Sequence, residues 1–458
     1  MKQVKQKHIA LLIVLLFSFV SCKKYLDASP NKSLVIPTKI KELQGVLDQD
    51  VMYSGYPANT ILSDDNFYYT YSNFTTLADV PSKSYVWDSN TDGLDDWSGI
   101  YSRVLYCNTV LSVVDGLNDK NASQSEINNV KGSALFYRAY NFFEAAQLFA
   151  PQYTSTSAQQ GYGIPLKTSP DAEDATIRST VEQTYQAIIT ELKAAAPMLP
   201  LVQTVSTYKT RPSTVGCYAA LARTYLVMGN YDSAFKYADL CLQGYSTLLD
   251  FNNSSDVAIS STTPFKRFNN EVIFHAASRS SSGASAAFAR QMVDTFLYAS
   301  YQANDLRKTA FYKINAPGFT FKGNYNASTS QLFSGIAVDE VYLIRAECHA
   351  RKGNGSNALN DLNTLLIKRW ASGTFVPLTT ANTSNILAVV LNERRKEMAF
   401  RGSRWTDLRR LNLDNNYKRD LVRVVDTKTF TLAANDPRFT FLIPQIVIDN
   451  SGIVQNPR

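Results

Sequence analysis

LARTYLVMGNYDSA, at residues 221–234, is the segment from which the architecture of this chain can best be predicted. Its small residues Ala222, Gly229 and Ala234 are spaced seven and five positions apart. Small side chains are needed where two antiparallel helices cross closely, and glycine suits the turn that joins them. The segment therefore predicts a pair of antiparallel helices.

The same spacing of alanine, glycine and alanine recurs within residues 346–358. In the first copy Leu221 and Tyr225 complete much of the tetratricopeptide consensus, whereas the second copy has His349 where an aromatic residue is expected. Two copies with equal spacing predict helical pairs that stack on one another.

Further helices are predicted from periodicity and from capping signals. Apolar and small residues recur every three to four positions over residues 130–148, which places them on one face of a helix. Ser123 with Glu126, and Ser179 with Glu182, predict capping boxes at two helix starts. We predict an all-α scaffold over about 102–250 and 336–413, and irregular aromatic segments over about 51–101 and 251–335.

Composition limits the class of protein. With 458 residues, 45% hydrophobic and 19% charged, the chain suits a globular protein and is neither disordered nor a multi-pass membrane protein. The net charge of +7 includes three lysines within residues 2–7, and the remainder is too small to indicate nucleic-acid binding. Three His and five Cys leave little room for zinc clusters or a disulfide framework.

The N-terminus predicts export and lipidation. Three lysines precede an uncharged apolar run at residues 9–20, which is too short to span a bilayer but fits a signal peptide. Phe19-Val-Ser-Cys22 resembles a bacterial lipobox, so residues 1–21 are predicted to be removed and Cys22 to carry the acyl chains, such as palmitate. The alternative is cleavage elsewhere, with Cys22 an incidental thiol.

Several short blocks are distributed from one end of the sequence to the other. They are CKKYLD at 22–27, ALFYRA at 134–139, GIPL at 163–166, LARTYL at 221–226, EVYLIRAE at 340–347, ERRKEMAF at 393–400, GSRWTDLR at 402–409, FLIP at 441–444 and QNP at 455–457. In sequence and in order, these blocks resemble the SusD/RagB family of outer-membrane nutrient-binding lipoproteins from Bacteroidetes.

This resemblance implies a single domain at 22–458 in which tetratricopeptide-like helical pairs pack against an irregular, loop-rich region that binds ligand. It implies a surface-exposed lipoprotein, anchored in the outer membrane, that covers a SusC-like TonB-dependent transporter. Family members bind glycans or other polymeric nutrients and deliver them; they are not enzymes, and no cofactor is implied.

Two other functions remain open from the residues alone. The first is a helical surface glycoside hydrolase, for which Asp64-Asp65 and Asp95-Asp96 could supply an acid and a base. The second is a transporter lid with little ligand affinity of its own. The charged residues between Glu393 and Arg410 are predicted to form ion pairs that lock the last helices.

Aromatic side chains suit carbohydrate because pyranose C–H faces stack on aromatic rings. They are dense between Tyr53 and Tyr101, and Trp87, in a polar loop, is predicted to be the best stacking platform. Asp65, Asn66 and Asn90 could bind hydroxyl groups. The predicted ligand-binding residues are Trp87, Asn90, Asp65, Asn66, Tyr68, Tyr69, Tyr71, Phe319, Phe321 and Tyr325.

A calcium site and a disulfide are each an alternative to a simpler interpretation. Asp88, Asn90, Asp92 and Asp96 match the opening of a calcium loop, but Gly99 replaces the carboxylate at the twelfth position, so a simple turn is the favoured interpretation. Cys217 and Cys241 flank one turn and could meet in a disulfide; free apolar thiols are the favoured interpretation.

Overall fold

Helices Thr214–Val227 and Tyr231–Gly244 form the antiparallel pair predicted from residues 221–234. They belong to a computed structural model that describes residues 37–91, 93–171, 173–281 and 283–458. Gly229, in the turn between them, has a φ of +73°, a conformation that favours glycine. Gly353 has a φ of +78° in the second copy. The four alanines at the helix crossings are fully buried: Ala222, Ala234, Ala346 and Ala358.

The helices, numbered in chain order, are α1 Ile40–Leu47, α2 Asn59–Leu62, α3 Tyr71–Phe74, α4 Asp79–Tyr85, α5 Leu94–Val114, α6 Gln124–Phe149, α7 Ser155–Gln160, α8 Val181–Ala195, α9 Thr214–Val227, α10 Tyr231–Gly244, α11 Ala284–Arg290, α12 Thr295–Ala299, α13 Arg307–Phe311, α14 Val338–Arg351, α15 Gly355–Leu366, α16 Ile386–Glu397, α17 Ser403–Leu411 and α18 Gln445–Ser451. The strands are β1 Phe67–Tyr68, β2 Tyr162–Pro165, β3 Arg178–Thr180, β4 Val272–Phe274, β5 Met292–Val293, β6 Tyr312–Asn315, β7 Gly318–Phe321, β8 Ile336–Ala337, β9 Leu421–Val425 and β10 Lys428–Leu432.

The long helices pack in succession along the chain. Helix α5 packs on α6, α6 on α8, α8 on α9, α9 on α10, α10 on α14, and α14 on α15. The strands of the described residues pair only two at a time, always antiparallel. The predicted all-α class with tetratricopeptide-like pairs is therefore confirmed.

One hydrophobic core lies beneath the less regular segments. It is built largely of aromatic side chains that contact one another edge to face, as Phe67 and Tyr69 do at 5.2 Å and Phe251 and Phe265 do at 5.5 Å between ring centroids. Much of the aromatic density of the loop-rich half is consequently core. Residues Lys39–Arg458, which include this core, form one structural unit.

One of the two predicted capping boxes is confirmed and the other is wrong. The side chains of Ser123 and Glu126 cap α6 reciprocally. At α8 the box is formed by Thr180 and Gln183, one residue later than predicted. The reason is that Ser179 lies in β3, where its hydroxyl donates to the carbonyl oxygen of Ile164 at 2.8 Å.

The cysteines of the described residues are buried free thiols, so no disulfide joins Cys217 to Cys241. Each lies at a buried position of a helix, where it packs as a small apolar side chain, as the favoured interpretation predicted.

The charged residues between Glu393 and Arg410 form buried ion pairs, as predicted. Asp407 accepts from Arg394 and from Arg410, both at 2.8 Å, and Arg410 also binds Glu347 at 2.6 Å. These bonds tie α16 and α17 to α14, which carries the second copy of the helical repeat.

Arg369, just after α15, is a buried arginine that contacts three separate segments of the chain. Its guanidinium group donates to Glu397 at 2.7 Å, to Glu271 at 2.6 Å and to the carbonyl oxygen of Leu249 at 2.7 Å. Arg307 binds the other carboxylate oxygen of Glu397 at 2.9 Å. All four charged side chains are fully buried.

We predict that Arg369→Met destabilises the protein by about 3–5 kcal/mol, because it leaves two buried carboxylates without one of their partners. The free energy of unfolding in urea measures this loss. Arg211→Met is the matched control: it removes a half-exposed ion pair with Asp48 and should cost within about 1 kcal/mol. Equal losses in the two variants would contradict the structural role given to Arg369.

Candidate functional site

A cleft of about 400 Å³ opens in the loop-rich half of the molecule, between β1 and the β9–β10 hairpin. We call it the aromatic cleft because aromatic side chains form most of its floor and part of its rim. It is lined by Asp65, Phe67, Tyr68, Tyr69, Tyr85, Trp87, Asp294, Phe296 and residues 419–424.

Short local elements orient the rim of the cleft. Strand β1 pairs with β5, and along β1 Phe67 points into the core while Tyr68 stays half-buried at the cleft. Asp294 caps α12 by accepting from the backbone N–H of Leu297 at 2.9 Å. In that helix Leu297 is buried, whereas Phe296 is 82% exposed. The cleft therefore has an aromatic ring that faces solvent.

An arginine fills the floor of the cleft. The guanidinium group of Arg423 lies 3.8 Å from the ring centroid of Tyr85 and 4.9 Å from those of Trp87 and Phe67. It also donates to the backbone carbonyl oxygens of Phe67, at 2.9 Å, and of Asp64. These aromatic faces are occupied by a cation and are closed to a ligand.

Asp65 carries a fixed negative charge at the edge of the cleft. It binds Arg404 at 2.6 Å, Arg419 at 3.2 Å and Arg395 at 3.5 Å. Burial by itself raises the pKa of Asp65, but the three guanidinium groups outweigh burial and hold this pKa well below its usual range. The neighbouring Asp64 is fully buried, and burial raises its pKa to about 7.

Trp87 is not the exposed platform that its polar neighbours predicted, and that prediction is wrong. The side chain is only 4% exposed, and its indole N–H donates to the carbonyl oxygen of Ser63 at 2.9 Å. The local sequence is polar, but the backbone turns the ring inward, next to Arg423.

Three more predicted ligand residues are buried and already engaged. Asn66 donates to the carboxylate of Asp64, from its backbone at 2.9 Å and from its side chain at 3.0 Å. The hydroxyl of Tyr69 donates to a backbone carbonyl oxygen at 3.2 Å. That of Tyr325 donates to Glu271 at 3.0 Å. All three side chains are buried rather than exposed, although Tyr69 still borders the aromatic cleft, and their contact with a ligand remains a prediction.

Other predicted residues do reach the surface. Tyr68 and Asp65 lie in the aromatic cleft. Tyr71, at the start of α3, is 57% exposed, and Asn90 is exposed in a turn in which its N–H donates to Asp88 at 2.8 Å. Contacts of these residues with a ligand remain a prediction.

Phe319 and Phe321 lie on β7 and are half-buried. Phe319 stacks on Tyr298 with 3.6 Å between ring centroids, and Phe321 stacks on Phe400 at 4.5 Å. Packing therefore occupies one face of each ring and leaves part of each accessible.

The predicted calcium loop does not bring its ligands together. Asp96 is fully buried and accepts from two backbone N–H groups at the start of α2, at 3.0 and 3.1 Å. Asp88 instead accepts from Asn90 within the local turn. Asp92 lies outside the described residues. The favoured interpretation, a turn rich in Asp and Asn, agrees with this geometry.

One buried group of carboxylates has oxygens close enough together to hold a metal ion: Glu271, Asp339 and Glu397. Arginines already neutralise it, because Arg369 binds Glu271 and Glu397, and Arg401 binds Asp339 at 2.6 Å. The group belongs to the ion-pair network of the fold.

Sequence reasoning missed three exposed apolar residues of the cleft, namely Phe296, Val422 and Val424. The pattern Leu-Val-Arg-Val-Val at 421–425 is typical of a strand, but alternation alone would place Arg423 outside and the two valines inside. The structure has the reverse arrangement, with Arg423 buried and both valines exposed. No local signal separates Phe296 from a core aromatic residue.

Cys22 and the predicted leader at residues 1–21 lie outside the described residues, so lipidation and the division of the chain at this point remain predictions. Within the described part of the chain, no helix combines the length and the apolar character needed to cross a bilayer.

Two family descriptions match most of the sequence. Residues 24–226 match one described as "Starch-binding associating with outer membrane", and residues 266–457 match one described as "SusD family". A relative, SusD-like protein P2 of Formosa agariphila, is 23% identical over 70% of this chain and 72% of its own length.

Solved structures share the fold over nearly the whole chain. A SusD superfamily protein from Bacteroides vulgatus is 21% identical, with a TM-score of 0.71, over 91% of this chain and 97% of the other. Surface glycan-binding protein A from Bacteroides uniformis is 17% identical, with a TM-score of 0.69, over 91% and 99%. The chain belongs to the SusD/RagB family, as its sequence blocks predicted.

Proposed function

We propose that this protein is a surface lipoprotein of the outer membrane that binds glycan and delivers it to a SusC-like TonB-dependent transporter. The aromatic cleft is the observation that carries the proposal, because it combines an exposed aromatic ring with charged hydrogen-bonding groups. A relative of the same fold is named as a surface glycan-binding protein, which supports the proposal.

The chemistry of the rim suits a sugar. The ring of Phe296 offers an apolar face to pyranose C–H groups, and the exposed Val422 and Val424 extend this apolar surface. A carboxylate can accept about four hydrogen bonds. Asp294 and Asp420 use only some of these positions on backbone N–H groups and Arg395, and the rest can accept from sugar hydroxyls.

The state of Asp64 and Asp65, the predicted acid pair next to the cleft, favours binding over hydrolysis. A glycoside hydrolase needs a carboxylic acid that holds its proton near neutral pH and reaches the scissile oxygen. Asp65 remains ionised because of its arginine partners. Asp64, whose pKa of about 7 would suit an acid, is fully buried and does not line the cleft. We therefore infer that the glycan leaves the cleft intact.

We predict that Phe296→Ala weakens glycan binding about two- to tenfold, because one stacking contact of about 0.5–1.5 kcal/mol is lost. Titration calorimetry with oligosaccharides that bind the wild type measures the change. Tyr162→Ala removes another exposed aromatic side chain, remote from the lining of the cleft, and should leave affinity unchanged. Equal affinity of wild type and Phe296→Ala, or release of reducing sugar over many turnovers by pure protein, would contradict the proposed binding role.

We predict that Cys22→Ser abolishes labelling by radioactive palmitate and removes the protein from the outer-membrane fraction, because the serine hydroxyl cannot form the thioether. The matched control Cys217→Ala replaces a buried thiol and should still be labelled and anchored. Labelling of Cys22→Ser would refute the predicted anchor.

We also predict that the anchored wild type co-purifies with a TonB-dependent transporter from detergent extracts. Recovery of the wild type without any transporter would argue against the partnership.

A further inference from the structure

A second cavity, of about 300 Å³, lies next to the β6–β7 hairpin. This hairpin also borders the aromatic cleft, because Gly318 at its turn is so near the hydroxyl of Tyr68 that a Cβ there would lie 3.0 Å from it. We call the second space the lysine cavity, and its lining includes Lys313, Lys322, Thr320, Phe321, Phe288 and Ile314.

The charge of the lysine cavity is unbalanced. No described Asp or Glu lines it, and among the described residues Lys313 forms no ion pair. Burial, together with the ammonium group of Lys313, lowers the pKa of Lys322, and no neighbouring carboxylate opposes this effect. By contrast, most buried cations among the described residues have carboxylate partners, as Arg307 and Arg410 do.

The cavity also has unused hydrogen-bonding groups. Lys322 donates to the carbonyl oxygens of Ile259 and Ser261, both at 2.8 Å, which leaves one of its three N–H groups free. Thr320 is only 6% exposed and its hydroxyl has no hydrogen-bond partner. It lies opposite Lys313 in the β6–β7 pairing, so both side chains share one face of the hairpin.

The volume of the cavity indicates the size of its ligand, and the lining indicates the chemistry of the ligand. A volume of about 300 Å³ is at the small end of ligand pockets. The lining also includes two buried apolar residues, Phe288 and Leu332, beside the two lysines. A ring with C–H faces and one negative substituent matches this combination.

We propose that the lysine cavity binds one anionic sugar unit of the glycan, with Lys313 and Lys322 facing its carboxylate or sulfate ester and Thr320 donating to it. This inference rests on the proposed glycan-binding function and specifies the substrate class as a charged polysaccharide. A chain lying across the β6–β7 hairpin would place a neighbouring sugar unit in the aromatic cleft.

The test is titration calorimetry on the full mature chain with four tetrasaccharide probes. Tetragalacturonate supplies carboxylates, a κ-carrageenan tetrasaccharide supplies sulfate esters, and galactotetraose and laminaritetraose are neutral. We expect one charged probe to bind at least tenfold more tightly than either neutral probe, with an affinity that falls as salt increases. The charged probe that binds identifies the anionic group.

Lys313→Glu should weaken binding of that charged probe at least tenfold. Lys313 is exposed, so the variant should fold normally. Lys120→Glu makes the same charge change at an exposed position outside the cavity and should leave affinity unchanged. Thr320→Val, which keeps the shape of the side chain, should reduce affinity several-fold.

The outcomes separate the two proposals. Tighter binding of the neutral probes, or equal losses in Lys313→Glu and Lys120→Glu, would overturn the anionic specificity and leave glycan binding intact. Absence of binding by all four probes would overturn both proposals.

Discussion

Buried arginines paired with carboxylates are the constraint on which the rest of this structure depends. Arg369, just after α15, connects to Leu249 and Glu271 in the segment between α10 and β4 and to Glu397 at the end of α16. A buried ion pair gains little net stability over apolar packing, but removing one partner is costly. The network therefore acts mainly by fixing which segments meet, and it holds the loop-rich half against the helical scaffold.

The same interaction fixes the aromatic cleft. Strand β1 is only two residues long and cannot position a binding site by itself. Asp65, just before it, is held by Arg395 of α16 and Arg404 of α17, and Arg423 of β9 donates to its backbone neighbours. Charged side chains on helices and on β9 thus hold the irregular segment next to β1 in place. The side chains at the rim of the aromatic cleft are therefore already arranged before a ligand binds.

The helical half of the fold was predictable because its requirements are local. A glycine at positive φ and an alanine at a helix crossing are needed wherever such a pair forms, so Gly229 and Gly353 identify the repeat from sequence alone. The cleft was only partly predictable. Aromatic density located the region, but exposure depends on distant partners: Trp87 is covered by Arg423, 336 positions later, whereas Phe296 remains open.

Different residues determine the stability of the fold and the proposed ligand preference. The residues that hold the fold are buried and mutually dependent, so a change in any of them leaves an unpaired charge. The residues that we propose to face a ligand, such as Phe296 and Lys313, are exposed, and exposed positions usually tolerate replacement at little cost in stability. If the proposed function holds, glycan preference can therefore change through these residues while the arginine network keeps the fold unchanged. This also explains why the sequence identifies the family far more readily than the substrate.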